Sequence, residues 1–340
     1  MNYFNKKTIS FIFISIISIF LIFLWRLQNE VKWQTIFDVS DQLNIALKGQ
    51  IDKQKADALS FAIVLSKNRD MIEALDKNDE DIAFDILNDI MKDVQEHTNK
   101  LVRTQIITAD LHLFARSWDN IYAGMPLNDY RKDLLNFKTS KKPRVSIEVA
   151  RRLSIIATVP IYKDDKLLGF VEVLDNFKAT TSFFQNFGID MFILMDYDFY
   201  DIAVLMQNNP TVENYIISNR SYNSLSLDAL NKVDFKKLKD QHIFIEKDRY
   251  IFYVQMKNFL GHDVGMFTFV MPKKNLNNFA TKEEENSFLI NFYRKNFYDV
   301  MKKEEYSNKQ DLNSYNQPLI YDNGKKRVTG TIKWECESYF

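Results

Sequence analysis

Leu113-Phe114-Ala115-Arg116-Ser117-Trp118 sets an arginine and a tryptophan into a run that otherwise alternates like a half-buried strand. Arg116 and Trp118 are two residues apart, so on a strand they share one face, with Phe114 and His112 alongside. A guanidinium fork beside flat rings is a workable pocket wall for a small anionic or polar ligand. The competing reading is an arginine salt-bridged for structure alone. Tyr122, Arg131, Lys142-Pro143, Ile147-Glu148 and Val159-Pro160-Ile161 follow in the same region.

Working outward, residues 101–187 alternate with period two. Strands are predicted at Leu101–Thr108, Leu111–Trp118, Arg144–Val149, Leu153–Tyr162 and Leu167–Leu174, with a hairpin turn at Lys163-Asp164-Asp165-Lys166. A short helical segment around Tyr130–Lys138 separates the second and third strands, and Phe177–Phe187 reads as a connecting helix. The class is α+β: five strands with a helical insertion make a PAS-like antiparallel sheet whose other face needs a helix to cover it. Residues 188–275 read as a second, smaller copy. It has a strand at Met191–Met195, helices at Asp201–Gln207 and Leu227–Leu238, and a meander of His242–Lys247, Arg249–Lys257 and Val264–Met271. Beyond it, 276–303 is an amphipathic helix, and 304–340 is polar linker with a possible hairpin on Asp322-Asn323-Gly324.

Upstream, Thr8 to Trp25 carries no charge and is nearly all Ile, Phe, Leu and Ser. As a helix it spans roughly 27 Å, about one bilayer core. The run ends in Leu24-Trp25-Arg26 without a small-residue cleavage site, which favours an uncleaved anchor over a signal peptide. Residues 1–7 then form a cytoplasmic tail, 8–26 the single transmembrane anchor, and Lys6 and Lys7 place the bulk of the chain in the periplasm of an inner-membrane protein. Residues 30–100 read as a stalk and helical region. Ile36, Val39, Leu43, Leu47 and Ile51, then Ala58, Leu59, Ala62 and Leu65, recur at helical spacing. A break falls at Lys67-Asn68-Arg69, and Asn78 or Asp79 caps the next helix. The stripe also suits dimerisation.

Composition narrows the function. Lys+Arg and Asp+Glu are both 45, so no basic surplus marks a nucleic-acid partner. Cys336 is the single cysteine, which excludes an internal disulfide and a cysteine zinc cluster. The acidic run Asp76–Asp85 lacks the turn glycine of a calcium loop, with Asp81 in its place. Four scattered histidines offer no metal pair, and the chain has no nucleophile elbow, zincin, dinucleotide or Walker pattern. No enzyme and no cofactor are expected.

Ala115-Arg116-Ser117-Trp118, Tyr122, Tyr130-Arg131, Lys142-Pro143, Ile147-Glu148-Val149, Arg151, Val159-Pro160-Ile161 and Leu168-Gly169-Phe170-Val171-Glu172 occur in an order that resembles the double-Cache sensor module of bacterial chemoreceptors, sensor kinases and diguanylate cyclases. The looser similarity covers roughly residues 30–275. The resemblance implies an extracytoplasmic sensor with a long helix, a membrane-distal PAS-like lobe at 101–187 that usually holds the ligand, and a membrane-proximal lobe at 188–275. Carried over residue by residue, it makes Arg116, Trp118, Tyr122, Arg131 and Glu148 the pocket candidates, joined by Phe114 and Arg151 as further ligand-binding residues. Where the family has Gly-Asp after the tyrosine, this chain has Ala123-Gly124; Ala150 replaces a glycine and Ile156 an arginine. The expected function is a membrane-anchored sensor of a small anionic or zwitterionic metabolite. Arg116 would grip a carboxylate, and Glu148 would accept from an amine or orient Arg131. The chain would signal through a partner protein or as a homodimer. The alternative is a degenerate or truncated module serving as a ligand-less interaction scaffold.

Overall fold

The computed structural model describes residues 6–276 apart from 99, 129–130, 132, 136–141 and 220, together with 321–322 and 325–326. Helix α1 (Lys6–Leu65) runs unbroken from the apolar N-terminal segment into the folded body. Its beginning holds an apolar window long enough to cross a membrane, and Phe11, Phe13, Ile19 and Trp25 there are exposed. From Ile36 onward one stripe is buried. Ile36, Val39, Leu43, Leu47 and Ile51 join one core cluster, while Ala58, Ala62 and Leu65 join a second. The period of 3.6 residues therefore lays one helix against both sheets.

The chain turns after Leu65. Asn68 caps α2 (Arg69–Asp76) by accepting from the Met71 N–H at 2.9 Å. Asp79 does the same for Ile82 at 3.1 Å, at the start of α3 (Glu80–Thr98). The second cap is one of the two residues expected for it; Asn68, expected only as part of a break, proves to be a cap as well.

Five antiparallel strands follow: β1 (Arg103–Thr108), β2 (Leu113–Arg116), β3 (Arg144–Val149), β4 (Leu153–Lys163) and β5 (Lys166–Asp175), in the spatial order β2-β1-β5-β4-β3. The β4–β5 hairpin turns through Asp164 and Asp165 in the left-handed region, at φ 46° and 63°. One face of this first sheet packs Ile106, Ala157, Val159, Ile161, Val171 and Val173 against α1, α2 and α3. At Gly169 a Cβ would collide with the Ile107 carbonyl oxygen, so the glycine is what lets β5 and β1 approach.

Helix α4 (Lys178–Gln185) leads to the second sheet: β6 (Asp190–Asp196), β7 (Thr211–Val212), β8 (Tyr215–Ile217), β9 (Ile243–Glu246), β10 (Arg249–Lys257) and β11 (Asp263–Pro272), in the order β7-β8-β6-β11-β10-β9. With six strands this sheet is the larger of the two, against the expectation of a smaller copy; the short β7–β8 pair carried too few residues to show alternation. Two helical expectations also need correction. The segment 201–207 contains only a 3-10 turn, Val204–Met206. The stretch expected as one helix over Leu227–Leu238 is two, α5 (Ser224–Leu230) and α6 (Phe235–Gln241), because Asp234 caps a fresh start by accepting from the Lys237 N–H. Both faces of the second sheet are apolar. Ile193, Met195, Phe267 and Phe269 share a core with α1 and α4, and Phe192, Leu194, Met266 and Val270 pack under α5 and α6. Of the C-terminal expectations, β12 (Tyr321–Asp322) pairs with β13 (Lys325–Lys326) where the hairpin was placed. The helix at 276–303 lies outside the described residues.

Candidate functional site

The second face of the first sheet is built differently. The cross-strand register aligns Arg116 with Gln105, Gln105 with Glu172, Glu172 with Thr158, and Thr158 with Arg144. One polar residue from each of the five strands thus makes a single row across the sheet. Glu172, at its centre, is fully buried; its carboxylate accepts from Gln105 Nε2 at 2.8 Å and Thr158 Oγ1 at 2.8 Å. From above, Arg131 donates from Nη1 to Glu172 at 2.6 Å and grips Asp133 through Nε and Nη2, both at 2.8 Å. Asp133 also receives Arg144. Burial disfavours charge on Asp133, but Arg131 and Arg144 outweigh it and hold the carboxyl below its ordinary range. Burial likewise disfavours charge on Arg131, and Glu172 and Asp133 reverse that, raising its pKa.

Arg131 belongs to a covering segment that is stitched to the edge strand β2. Gly124 N–H donates to Leu113 O, Leu113 N–H to Met125 O, and Leu127 N–H to Leu111 O, at 2.8–2.9 Å. Between cover and sheet lies a small recess of about 70 Å³ that opens to solvent. Five arginines line it, Arg103, Arg116, Arg131, Arg151 and Arg152, and among the described residues no Asp or Glu does. Gln105, Ser154 and Trp118 add polar edges and a flat wall; Met125, Leu127 and Leu174 add apolar surface.

The rings hold the guanidinium groups in order. Arg103 Cζ lies 4.9 Å and Arg116 Cζ 5.1 Å from the Trp118 ring centre; Arg116 and Arg151 each lie 4.8 Å from that of Tyr122. Such contacts orient a guanidinium without using its in-plane donors. Asp119 Oδ1 stands 3.8 Å from Arg116 Nη1.

Arg116, Trp118, Arg131 and Arg151 thus line the recess, with Tyr122 stacked against two of its arginines. Two expected site residues sit elsewhere. Phe114 is packed with Leu87 and Ile106 in the core on the helical face of the sheet. The cause is a bulge: Ala115 pairs with Ile106 and Leu113 with Ile107, which leaves Phe114 as the extra residue and breaks the alternation that had grouped it with Arg116. Glu148 is buried but off the recess. It accepts from Ser146 Oγ at 2.6 Å and from the Phe259 N–H of the second lobe at 3.2 Å, and burial raises its pKa. Arg131 is oriented by Glu172 and Asp133 rather than by Glu148. The sequence reading missed Arg103, Gln105, Arg152 and Ser154 as lining residues. The available signal in β1 was spacing: Arg103 and Gln105 are two apart and so share a face.

Comparisons agree with this architecture. A family model described as a double sensory domain of two-component sensor kinases matches residues 38–276. Among solved structures, the sensor domain of the V. cholerae histidine kinase DctB is 14% identical, with 68% of this chain and 94% of that one covered and a TM-score of 0.39. A putative sensory box/GGDEF-family domain from Vibrio parahaemolyticus is 11% identical over 72% and 98%, with a TM-score of 0.46. The sensory domain of the Campylobacter jejuni chemoreceptor Tlp3 with isoleucine bound is 14% identical over 73% and 97%, with a TM-score of 0.41. Comparison with curated proteins returns no match. With most of its length under the family model and both antiparallel sheets in place, the chain belongs to the double-Cache sensor domains, a ligand-binding rather than catalytic family.

Proposed function

We propose that this chain is a membrane-anchored sensor whose first lobe binds a small organic anion outside the cytoplasm. On this reading residues 8–26 form the anchor, 30–100 the stalk region, 101–187 the membrane-distal lobe and 188–275 the membrane-proximal one. Occupancy biases the geometry of lobe and stalk, and a partner protein reads it.

One observation carries the reading: among the described residues five arginines and no Asp or Glu line the same recess, with Arg131 already paired to Glu172 and Asp133 beneath it. A cavity so lined lowers the free energy of an anion and raises that of a cation. The same lining selects between the two ligand classes expected from sequence. An amino-acid zwitterion needs an acceptor for its ammonium, and Glu148, the residue expected to supply it, is held by Ser146 and the Phe259 amide. Without an opposing carboxylate the ammonium would lie among arginines, so the anion is favoured over the zwitterion.

The test is calorimetry on the full chain in detergent, titrating succinate, phosphate and citrate against isoleucine and alanine. Anions are expected to bind and the neutral amino acids not to. Arg116→Ala should weaken the best anion about 10- to 100-fold, the scale of a lost charge-assisted hydrogen bond. Binding unchanged by Arg116→Ala, or confined to the amino acids, overturns the reading.

A further inference from the structure

The recess of the first lobe is not walled by the first lobe alone. Leu205, from the second lobe, lines it. This residue sits in the short 3-10 turn Val204–Met206, and it is fastened on both sides. Its own N–H donates to the Arg151 carbonyl at 3.0 Å. Met206 beside it is fully buried, and the Met206 Sδ accepts from the Leu153 N–H at 3.3 Å. Ala203 on the other side is fully buried as well. The Leu205 backbone cannot move aside without breaking the contact between lobes, which keeps its half-buried side chain at the recess.

Leu205 stands next to the charged wall. Arg151, whose carbonyl holds Leu205, lays its guanidinium on Tyr122, the ring that also carries Arg116. Leu205, with Met125 and Leu127 of the covering segment, is among the apolar residues that line the same recess as Arg116.

We infer that Leu205 is a specificity-determining residue: it sets the length of anion that the first lobe accepts, so that one lobe grips the charge and the other measures the molecule. The inference rests on the anion reading above and adds to it a residue outside the lobe that holds the charges. Within a rigid apolar wall, one methylene too many or too few changes affinity by roughly 10- to 200-fold. A side chain that packs for stability alone would not alter the order of preference among ligands.

The experiment uses straight-chain dicarboxylates of three to eight carbons as probes, titrated into the full chain in detergent for wild type, Leu205→Ala, Leu205→Trp and Arg116→Ala. Wild type should show one preferred length. Leu205→Ala should move that preference to longer probes by at least one methylene, and Leu205→Trp should weaken the longer probes about tenfold or more while sparing the shortest. A length profile identical in wild type and Leu205→Ala, with binding still weakened by Arg116→Ala, overturns the role of Leu205 and leaves the anion reading intact. Absence of binding by every probe to wild type overturns both. If Leu205→Trp loses its thermal unfolding transition, the Leu205→Ala profile decides by itself.

Discussion

The two lobes use the second face of their sheets in opposite ways. In the second lobe that face is apolar, with Phe192, Leu194, Ile251 and Met266 packed under α5 and α6. In the first lobe the corresponding surface carries the row Arg116, Gln105, Glu172, Thr158 and Arg144, and a recess opens above it. Both sheets rest their other face on α1, so the framework is common and the difference lies in the covering side. Packed apolar layers stabilise a lobe by close contact; a buried charged row stands only if its members satisfy one another. The proposed site therefore lies in the lobe whose second face is polar.

The largest effect expected from this contrast is at Arg131. It satisfies Glu172 and Asp133 together, and Glu172 is inaccessible to water. Arg131→Met leaves both carboxylates without that partner and should lower stability by about 3–5 kcal/mol, the cost of breaking a buried ion pair from one side. Denaturant unfolding of the full chain measures it. A loss below about 1 kcal/mol would mean that the row is solvated in practice and that the lobes do not differ as described.

Much of this was legible in the sequence because it is local. The stripe from Ile36 to Leu65, the break at Lys67-Asn68-Arg69, the cap at Asp79, the five strands of the first sheet and the pairing of Arg116 with Trp118 all follow from residue spacing within one element. What escaped depends on register between elements. Phe114 points away from Arg116 only because β2 carries an extra residue against β1, which alternation within β2 does not reveal. Glu148 looks like a pocket acid until Phe259, far along the chain, turns out to donate to it. Glu172 stands out as a lone acid in an apolar strand, yet its role is set by Gln105, Thr158 and Arg131 from three other segments.

A middle-sized effect sharpens the comparison at the joint between the lobes. Asp175 ends β5 and accepts from Gln54 Nε2 of α1 at 2.9 Å; the same Gln54 also donates to the Asn176 carbonyl and accepts from Thr180 Oγ1 at 2.5 Å. Burial pushes the Asp175 carboxyl up to about 6, opposed by the Gln54 and Asn176 hydrogen bonds and by Lys100, and assisted by Asp57. A carboxyl whose folded pKa exceeds its unfolded one holds a proton more tightly when folded. Its stabilisation is complete below about pH 4 and is lost as pH rises through about 6, in total about 3 kcal/mol. Asp175→Asn keeps an acceptor for Gln54 and removes the titration. The difference in stability between variant and wild type should therefore grow in the variant's favour from pH 4.5 to 7.5. A difference that stays flat over that window would place the Asp175 carboxyl in contact with water and the joint open.

The smallest effect has the opposite sign and tests the apolar half of the contrast. Thr268, in the middle of β11, is fully buried on the face that packs under α5 and α6, and among the described residues its Oγ1 has no hydrogen-bond partner. In the first lobe a buried hydroxyl such as Thr158 is part of the row and serves Glu172; in the second it has no such neighbour. Replacing Thr268 by the isosteric valine removes a desolvated hydroxyl without changing shape, and should raise stability by about 1 kcal/mol. Thr158→Val, the same substitution in the polar row, should lower it, since Glu172 then loses a donor. Unfolding midpoints of the two variants that move in the same direction would show that the two faces are not chemically distinct, whatever their composition; midpoints that move apart tie the placement of the ligand site to the one lobe where buried polar groups are answered.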